Sequence, residues 1–211
     1  MTQVKICGLT TVDTLDAAIA NGASHIGFVF FAPSPRNLLP ERAAGLGARV
    51  PARTAKVGVF VDPDDALLDA ATPAVDSVQL HGSETAARRS EIRARWGKPV
   101  WRAAGVATAA DIRAAAAGAF GADLLLLDAK APSSAPLPGG NGLRFDWRLL
   151  ERAPPGMAWG LSGGLDAANV GEAIRVSHAA LVDVSSGVED APGVKSMAKI
   201  EAFLKAAARA I

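Results

Sequence analysis

Eight short apolar runs punctuate the chain, at Val4–Cys7, His25–Phe30, Lys56–Val61, Ser77–Leu80, Pro99–Ala103, Asp123–Leu127, Met157–Leu161 and Ala180–Val184. Most are apolar on both faces instead of alternating. That is the pattern of parallel strands covered by helices outside and packed against one another inside. The intervals carry helical patterns over Val12–Asn21, Glu41–Ala48, Pro63–Ala71, Glu84–Trp96, Ala109–Ala119, Asp146–Arg152, Ala167–Val176 and Val194–Ala210. Thr10 or Thr11 can cap the first helix and Gly22 stops it, Pro40 suits the first turn of the second, and Ala enriches many of the rest. One connection is long. Lys130–Leu143 follows the sixth strand and is studded with Pro132, Pro136, Pro138, Gly139, Gly140 and Gly142. A loop of that length in a compact domain acts as a lid or a binding loop.

Eight strand–helix units in 211 residues, with no Gly/Ser linker between them, predict one domain spanning residues 1–211. The expected architecture is a closed (β/α)8 TIM barrel of the α/β class. An open doubly wound sheet is the alternative, but no GxGxxG follows the first strand.

Composition narrows the partners. Half of the residues are hydrophobic and 20% are charged, which argues for a large core and against disorder. The net charge is +1, from 22 basic and 21 acidic side chains, so neither nucleic acid nor an anionic membrane is an expected partner. Any anion site must be local. A lone cysteine, Cys7, cannot form an intramolecular disulfide. The opening MTQVKICGLT lacks a basic segment followed by an apolar one, and no apolar run is long enough to span a bilayer. The cytoplasm is the expected location, and monomer and homodimer both stay open.

Barrel enzymes place their chemistry at the C-terminal strand ends. Here those ends supply Cys7-Gly8, Phe31 through Arg36, Val61-Asp62, His81-Gly82, Arg102, Asp128, Ser162-Gly163-Gly164, and Asp183 through Gly187. Gly163 and Gly164 after the seventh strand, with Ser185, Ser186 and Gly187 after the eighth, read as a phosphate cradle. Glycines admit an anion to the backbone N–H groups, serines donate hydroxyl hydrogens, and the helix that follows adds its dipole. Two ordinary glycine-rich turns are the plainer reading. Cys7 is either a small buried apolar residue or a thiolate base, the latter after a modest downward shift of its pKa helped by Lys5 on the same inward face. Asp128 follows four leucines; it either caps the next turn or, in apolar surroundings, stays protonated and serves as an acid. Arg36 can grip a carboxylate with two parallel hydrogen bonds, or it is a solvated surface residue. His81 shares its face with Gln79 and is either structural or a ligand contact. Asp183 either contacts a substrate hydroxyl or pairs with Lys5. The three histidines are scattered, without metal-site spacing, so no metal is expected.

The ordered set resembles the phosphoribosylanthranilate isomerase family of the tryptophan pathway. The matches are Lys5-Ile6-Cys7-Gly8, Gly27-Phe28-Val29-Phe30 with Ser34-Pro35-Arg36, Val57-Gly58-Val59-Phe60, and Val78-Gln79-Leu80-His81-Gly82. They continue with Leu126-Leu127-Asp128, Gly139-Gly140 with Gly142, Phe145-Asp146-Trp147, Leu161-Ser162-Gly163-Gly164-Leu165, Asp183 through Glu189, and Pro192-Gly193. No single motif decides; their order along almost the whole chain does. The resemblance implies a cofactor-free Amadori rearrangement of N-(5-phosphoribosyl)anthranilate, an intramolecular redox step interconverting aldose and ketose. It implies Asp128 as the acid that opens the furanose ring, Cys7 as the base that removes the C2′ proton, and Arg36 as the contact to the anthranilate carboxylate. Two positions depart from the family pattern: Asn141 replaces a usual Thr, and Lys195-Ser196 replaces Lys-Asp. The second removes a first-turn carboxylate from the last helix.

The enzymatic alternative is the related aminoaldose-phosphate isomerase of histidine biosynthesis, which resembles a twofold repeat with paired catalytic aspartates. This chain ends its first strand in Cys7 and offers Arg102 on its fifth. The alternative from another class is a phosphate-binding barrel without catalysis, which would have no use for Cys7 paired with Asp128.

Overall fold

A computed structural model describes residues 2–132, 139–140, 142–152 and 155–210. Eight strands form one closed barrel in chain order: β1 (Gln3–Cys7), β2 (His25–Phe30), β3 (Ala55–Phe60), β4 (Ser77–Leu80), β5 (Val100–Val106), β6 (Leu124–Ala129), β7 (Trp159–Leu161) and β8 (Leu181–Val184). All neighbours pair in parallel, and β8 closes on β1 through Lys5 opposite Asp183. The helices α1 (Val12–Ala20), α2 (Pro40–Gly47), α3 (Asp65–Ala71), α4 (Ala86–Trp96), α5 (Ala109–Ala117), α6 (Arg148–Arg152), α7 (Val170–Ser177) and α8 (Met197–Ala208) alternate with them.

Local chemistry starts and stops these helices. The Thr11, Asp64, Thr85 and Thr108 side chains each accept a hydrogen bond from a first-turn N–H, and Thr108 with Asp111 completes a reciprocal capping box. Pro40 opens α2, and Gly97 ends α4 in the left-handed conformation at φ 63°.

Strand residues alternate between two environments. Ile6, Phe28, Phe60, Leu125, Leu127, Leu161 and Val182 face outward and merge with the helices into the main core. The inward set forms small clusters, with Val57, Trp101 and Leu181 in one and Cys7, Val29 and Val59 in the other. The remaining inward positions near the C-terminal ends are polar, and they build the site.

Several boundaries differ from the sequence expectation. β5 continues three residues past Ala103, because Ala104, Gly105 and Val106 pair with Leu127, Asp128 and Ala129. Arg102 is therefore not at the rim. It points outward, and its Nη1 donates to the Ala115 carbonyl of α5 at 2.7 Å. Asp128 lies within β6 instead of just beyond it. Helices α7 and α8 start three residues later than expected: before α7, residues 166–169 form a turn in which Asp166 Oδ1 accepts the Ala168 and Asn169 N–H groups, and before α8, Val194–Lys195 is spent in a small antiparallel hairpin, where β9 (Glu189–Ala191) pairs with β10 (Val194–Lys195). Ser196 thus occupies the N-cap of α8, not its first turn, and its hydroxyl serves Asp190. In the loop after β6, positions 133–138 and Asn141 lie outside the described residues.

Candidate active site

The inward side chains at the C-terminal strand ends surround a cleft of about 590 Å³, within the range of small-molecule sites. Period-two alternation explains its membership: Cys7, Val29, Val59, Gln79, Leu126, Asp128 and Asp183 are each two residues from the next inward position on their strands. A second hollow of about 370 Å³ adjoins it and shares the Asp128, Ser162, Asp183 and Ser185 walls.

Cys7 is the last residue of β1 and is buried. It stands opposite Gly27 in the β1–β2 register, where a Cβ would lie 2.8 Å from its Sγ and 2.9 Å from its Cα. The glycine is what leaves room for the thiol. Gly27→Ala is expected to cut kcat by at least ~10-fold through displaced sulfur, on the scale of a small misplacement in an active site. Steady-state kinetics check this, and unchanged kcat would show that the thiol position is not critical.

The expected downward shift of the thiol is corrected by its surroundings. Burial pushes Cys7 above its ordinary value of 9.0, and the Asp183 carboxylate adds to this, while the neighbouring Lys5 and Lys195 ammonium groups pull the other way without prevailing. Lys5 is fully buried and donates to Asp183 Oδ1 at 3.0 Å. Of the two readings of Asp183, the structure thus gives the pairing with Lys5, and the side chain also lines the cleft.

Asp128 is buried as well, and its Oδ1 accepts the Ala129 N–H at 2.8 Å. Burial, reinforced by Asp183, pushes its carboxyl up to about 7 against the opposing effects of that N–H and Lys5. His81 Nε2 stands 3.7 Å from Asp128 Oδ2, beyond hydrogen-bonding distance. Burial lowers His81 to about 4, so the ring is neutral near pH 7 and forms no ion pair with Asp128.

Arg36 is buried, not solvated. Its Nε and Nη2 donate to Glu189 Oε1 and Oε2 at 2.7 and 2.8 Å, and the side chain lines the cleft. Gly163, Gly164, Ser185 and Ser186 line the adjoining hollow together with Ser162. Gly163 and Gly164 take φ of 91° and 60°, a turn that needs glycine. Ser185 is already engaged: its Oγ donates to the Cys7 carbonyl at 3.3 Å and lies 3.2 Å from Lys195 Nζ. Gly187 is not among the residues that line the hollow, and a Cβ there would meet the Leu165 carbonyl at 1.9 Å.

Two features escaped the sequence reading. Gln79 is 2% exposed, lines the cleft, and its Oε1 has no hydrogen-bond partner among the described residues. Its shared face with His81 was the available signal. The other is the Glu189–Lys195 pair on the hairpin, which no local pattern connects to Arg36.

Comparison with known proteins agrees along the whole length. The family model described as N-(5′-phosphoribosyl)anthranilate (PRA) isomerase matches residues 4–206. The chain is 54% identical over 207 residues to the N-(5′-phosphoribosyl)anthranilate isomerase of Paramagnetospirillum magneticum, covering 97% of this chain and 96% of that one. It superposes on the crystal structure of phosphoribosyl anthranilate isomerase from Thermotoga maritima with a TM-score of 0.88 at 37% identity, covering 99% of this chain and 100% of the other. A crystal structure of such an isomerase in complex with reduced 1-(o-carboxyphenylamino)-1-deoxyribulose 5-phosphate matches with a TM-score of 0.85 at 35% identity, covering 99% and 100%. From the ordered strand-end motifs to the closed barrel that carries them, the chain belongs to the N-(5′-phosphoribosyl)anthranilate isomerase family.

Proposed function

We propose that this chain catalyses the Amadori rearrangement of N-(5-phosphoribosyl)anthranilate to 1-(2-carboxyphenylamino)-1-deoxyribulose 5-phosphate, a step of tryptophan biosynthesis. The observation that carries the mechanism is the convergence of Cys7 and Asp128 on one cleft, which Arg36 also lines and which the hollow lined by Ser162, Gly163 and Gly164 adjoins. The phosphate binds along that turn and Ser186, and the anthranilate carboxylate meets Arg36. Asp128 donates its proton to the furanose ring oxygen. The C1′–O4′ bond breaks, and the nitrogen lone pair forms the C1′=N iminium. Cys7 thiolate then takes the C2′ proton, and the C2′–H electrons become the C1′=C2′ bond as the iminium is neutralised. The resulting enolamine tautomerises to the ketone. One proton is given and one is taken, so the net change is an isomerisation that requires no cofactor. Asp183 and Gln79 accept hydrogen bonds from sugar hydroxyls, the Ala129 N–H holds Asp128 Oδ1, and His81, neutral, brings no charge that would ionise the acid.

The protonation states dictate a pH profile. The acid must be protonated although it titrates near 7, and the base must be a thiolate although it is raised above 9. The productive form is thus the minor one, in which the proton sits on Asp128 instead of Cys7. For such a pair kcat/KM rises through pH ~7 and falls only above pH ~9. A profile that already falls at pH 7 would contradict this assignment.

Every group named comes from one chain, so a monomer and a homodimer would both carry a complete site. No helix among the described residues is long and apolar enough to cross a membrane. The proposed location is the cytoplasm, where a single thiol stays reduced.

The decisive assay follows loss of the fluorescence of N-(5-phosphoribosyl)anthranilate on turnover, beside the aminoaldose phosphate of histidine biosynthesis. Conversion of the first substrate supports the reading; conversion of the second alone, or binding without turnover, overturns it. Arg36→Ala is expected to raise KM by at least ~10-fold with a smaller change in kcat, because it removes a charge-assisted contact to a non-reacting group. A pure kcat effect would contradict its role.

A further inference from the structure

Arg36 reaches the cleft already held. One edge of its guanidinium, Nε with Nη2, makes a forked pair to both oxygens of Glu189 at 2.7 and 2.8 Å. The same carboxylate accepts Lys195 Nζ on Oε1 at 2.6 Å and the Gly193 N–H on Oε2 at 3.2 Å. All three charged side chains are at least nine-tenths buried. The opposite corner, Nη1, borders the cleft beside Gly140, where a Cβ would lie 2.9 Å away. The two strands of the hairpin supply Glu189 and Lys195, so the hairpin's register fixes the direction in which Arg36 points.

We propose that Glu189 is a positioning residue for recognition of the aromatic carboxylate: it holds Arg36 by one edge so that only the Nη1–Nη2 end of the fork remains to receive the ligand. This rests on Arg36 being the carboxylate contact. Charge supplies the second half of the argument. Arg36 paired with Glu189 alone is neutral overall and would attract an anion weakly. Lys195 restores one net positive charge without occupying the cleft end of the fork, since its Nζ is spent on Glu189 and on the Ser185 carbonyl at 2.9 Å. The device trades a freely rotating cation for one with a single usable direction. An ortho-carboxylate fixed to a rigid ring needs that direction, because a bidentate grip tolerates little rotation.

Glu189→Gln separates positioning from bulk. Glutamine keeps the shape and raises the net charge of the cluster by one, which by itself favours an anion; it also puts an NH₂ where one carboxylate oxygen accepted a guanidinium N–H, so the fork loses one of its two anchors and a fall in carboxylate preference reports lost positioning, not lost charge. The test uses two ligands measured calorimetrically: the reduced product analogue, and the same compound with the ring carboxylate replaced by hydrogen. Arg36→Met is expected to reduce the preference for the first over the second by at least ~20-fold, the scale of a charge-assisted contact. Glu189→Gln is expected to reduce that preference by at least ~5-fold while changing affinity for the second ligand by less than ~2-fold, and the double variant should match Arg36→Met alone. If Glu189→Gln weakens both ligands equally, or neither, the positioning role is overturned. If Arg36→Met itself leaves the preference intact, the carboxylate reading of Arg36 fails and this inference fails with it. Should Glu189→Gln not fold, Glu189→Met with Lys195→Met keeps the net charge of the cluster and must give the same selective loss.

Discussion

Asp128→Asn is expected to lower kcat by at least ~10²-fold and, at pH 8, to make the protein more stable. The first effect is the usual scale for removing a general acid. The second follows from the same pKa. In the native state the carboxyl titrates near 7, whereas its ordinary value is 3.8. Between those two values the folded chain retains a proton that the unfolded chain has released. Stability therefore falls as pH rises through that window, and the cost is complete above pH ~7. A shift of that size corresponds to a cost of order 4 kcal/mol. Asparagine is neutral at every pH, still accepts the Ala129 N–H, and removes the repulsion from Asp183. Thermal unfolding of both proteins at pH 4 and pH 8 checks this: the variant should melt higher at pH 8 and show little gain at pH 4. Wild-type activity in the variant, or an equal melting shift at both pH values, would contradict it. Cys7→Ala should lose kcat on a similar scale without the pH-dependent gain, because the buried thiol is already neutral at pH 8. A carboxyl group whose proton affinity is raised by burial is costly to the fold once ionised and useful to the reaction, a common pattern at active sites.

Lys5→Met is expected to destabilise the protein by ~3–5 kcal/mol, the usual cost of breaking a buried pair from one side. Lys5 Nζ donates to Asp183 Oδ1 at 3.0 Å in the barrel interior, and the lysine is completely buried. Removing it leaves the buried Asp183 carboxylate without its 3.0 Å ion-pair partner. The catalytic pair suffers too. Lys5 lowers the pKa of both Cys7 and Asp128, so without it both move further up and the thiolate becomes scarcer. Urea denaturation measures the first effect and the alkaline limb of the kcat/KM profile the second. The double variant Lys5→Met, Asp183→Leu should recover most of the stability, because it replaces the pair by apolar groups, and it should recover none of the activity. A loss below ~1 kcal/mol in the single variant would show that water reaches the pair.

The barrel was legible because its strands are apolar on both faces, and that pattern reflects burial between helices and interior. Boundaries were legible only where side chains change character. The stretch Ala103-Ala104-Gly105-Val106 has too little bulk to announce a strand, so β5 reads short and Arg102 falls at a false rim. The hairpin of Glu189–Ala191 and Val194–Lys195 was hidden for a related reason: its strands are three and two residues long, too short for any periodicity, and the second merges with the helical pattern that follows.

Within the site, strand-end position was enough to single out Cys7, Asp128, His81 and Asp183, since period-two alternation brings them to one cleft. Their electrostatics depended on contacts across the barrel. The upward shift of Asp128 is mainly a burial effect, and four preceding leucines signal burial. The shift of Cys7 is a contest among burial, Asp183, Lys5 and Lys195, residues drawn from three separate parts of the chain, and sequence order cannot weigh it. Arg36 illustrates the same limit. Its residue type pointed to a carboxylate, but Glu189, lying 153 positions away, occupies half of the fork.

In the proposed mechanism a thiol and a carboxyl group act on adjoining atoms of one ligand, and a crystal structure of this chain with the reduced product analogue shows whether they can. Cys7 Sγ is expected within ~4 Å of C2′ and an Asp128 carboxyl oxygen within hydrogen-bonding reach of the former ring oxygen, as general acid–base chemistry requires. Placement of either group more than ~6 Å from its target, or on the phosphate instead of the sugar carbons, would contradict it.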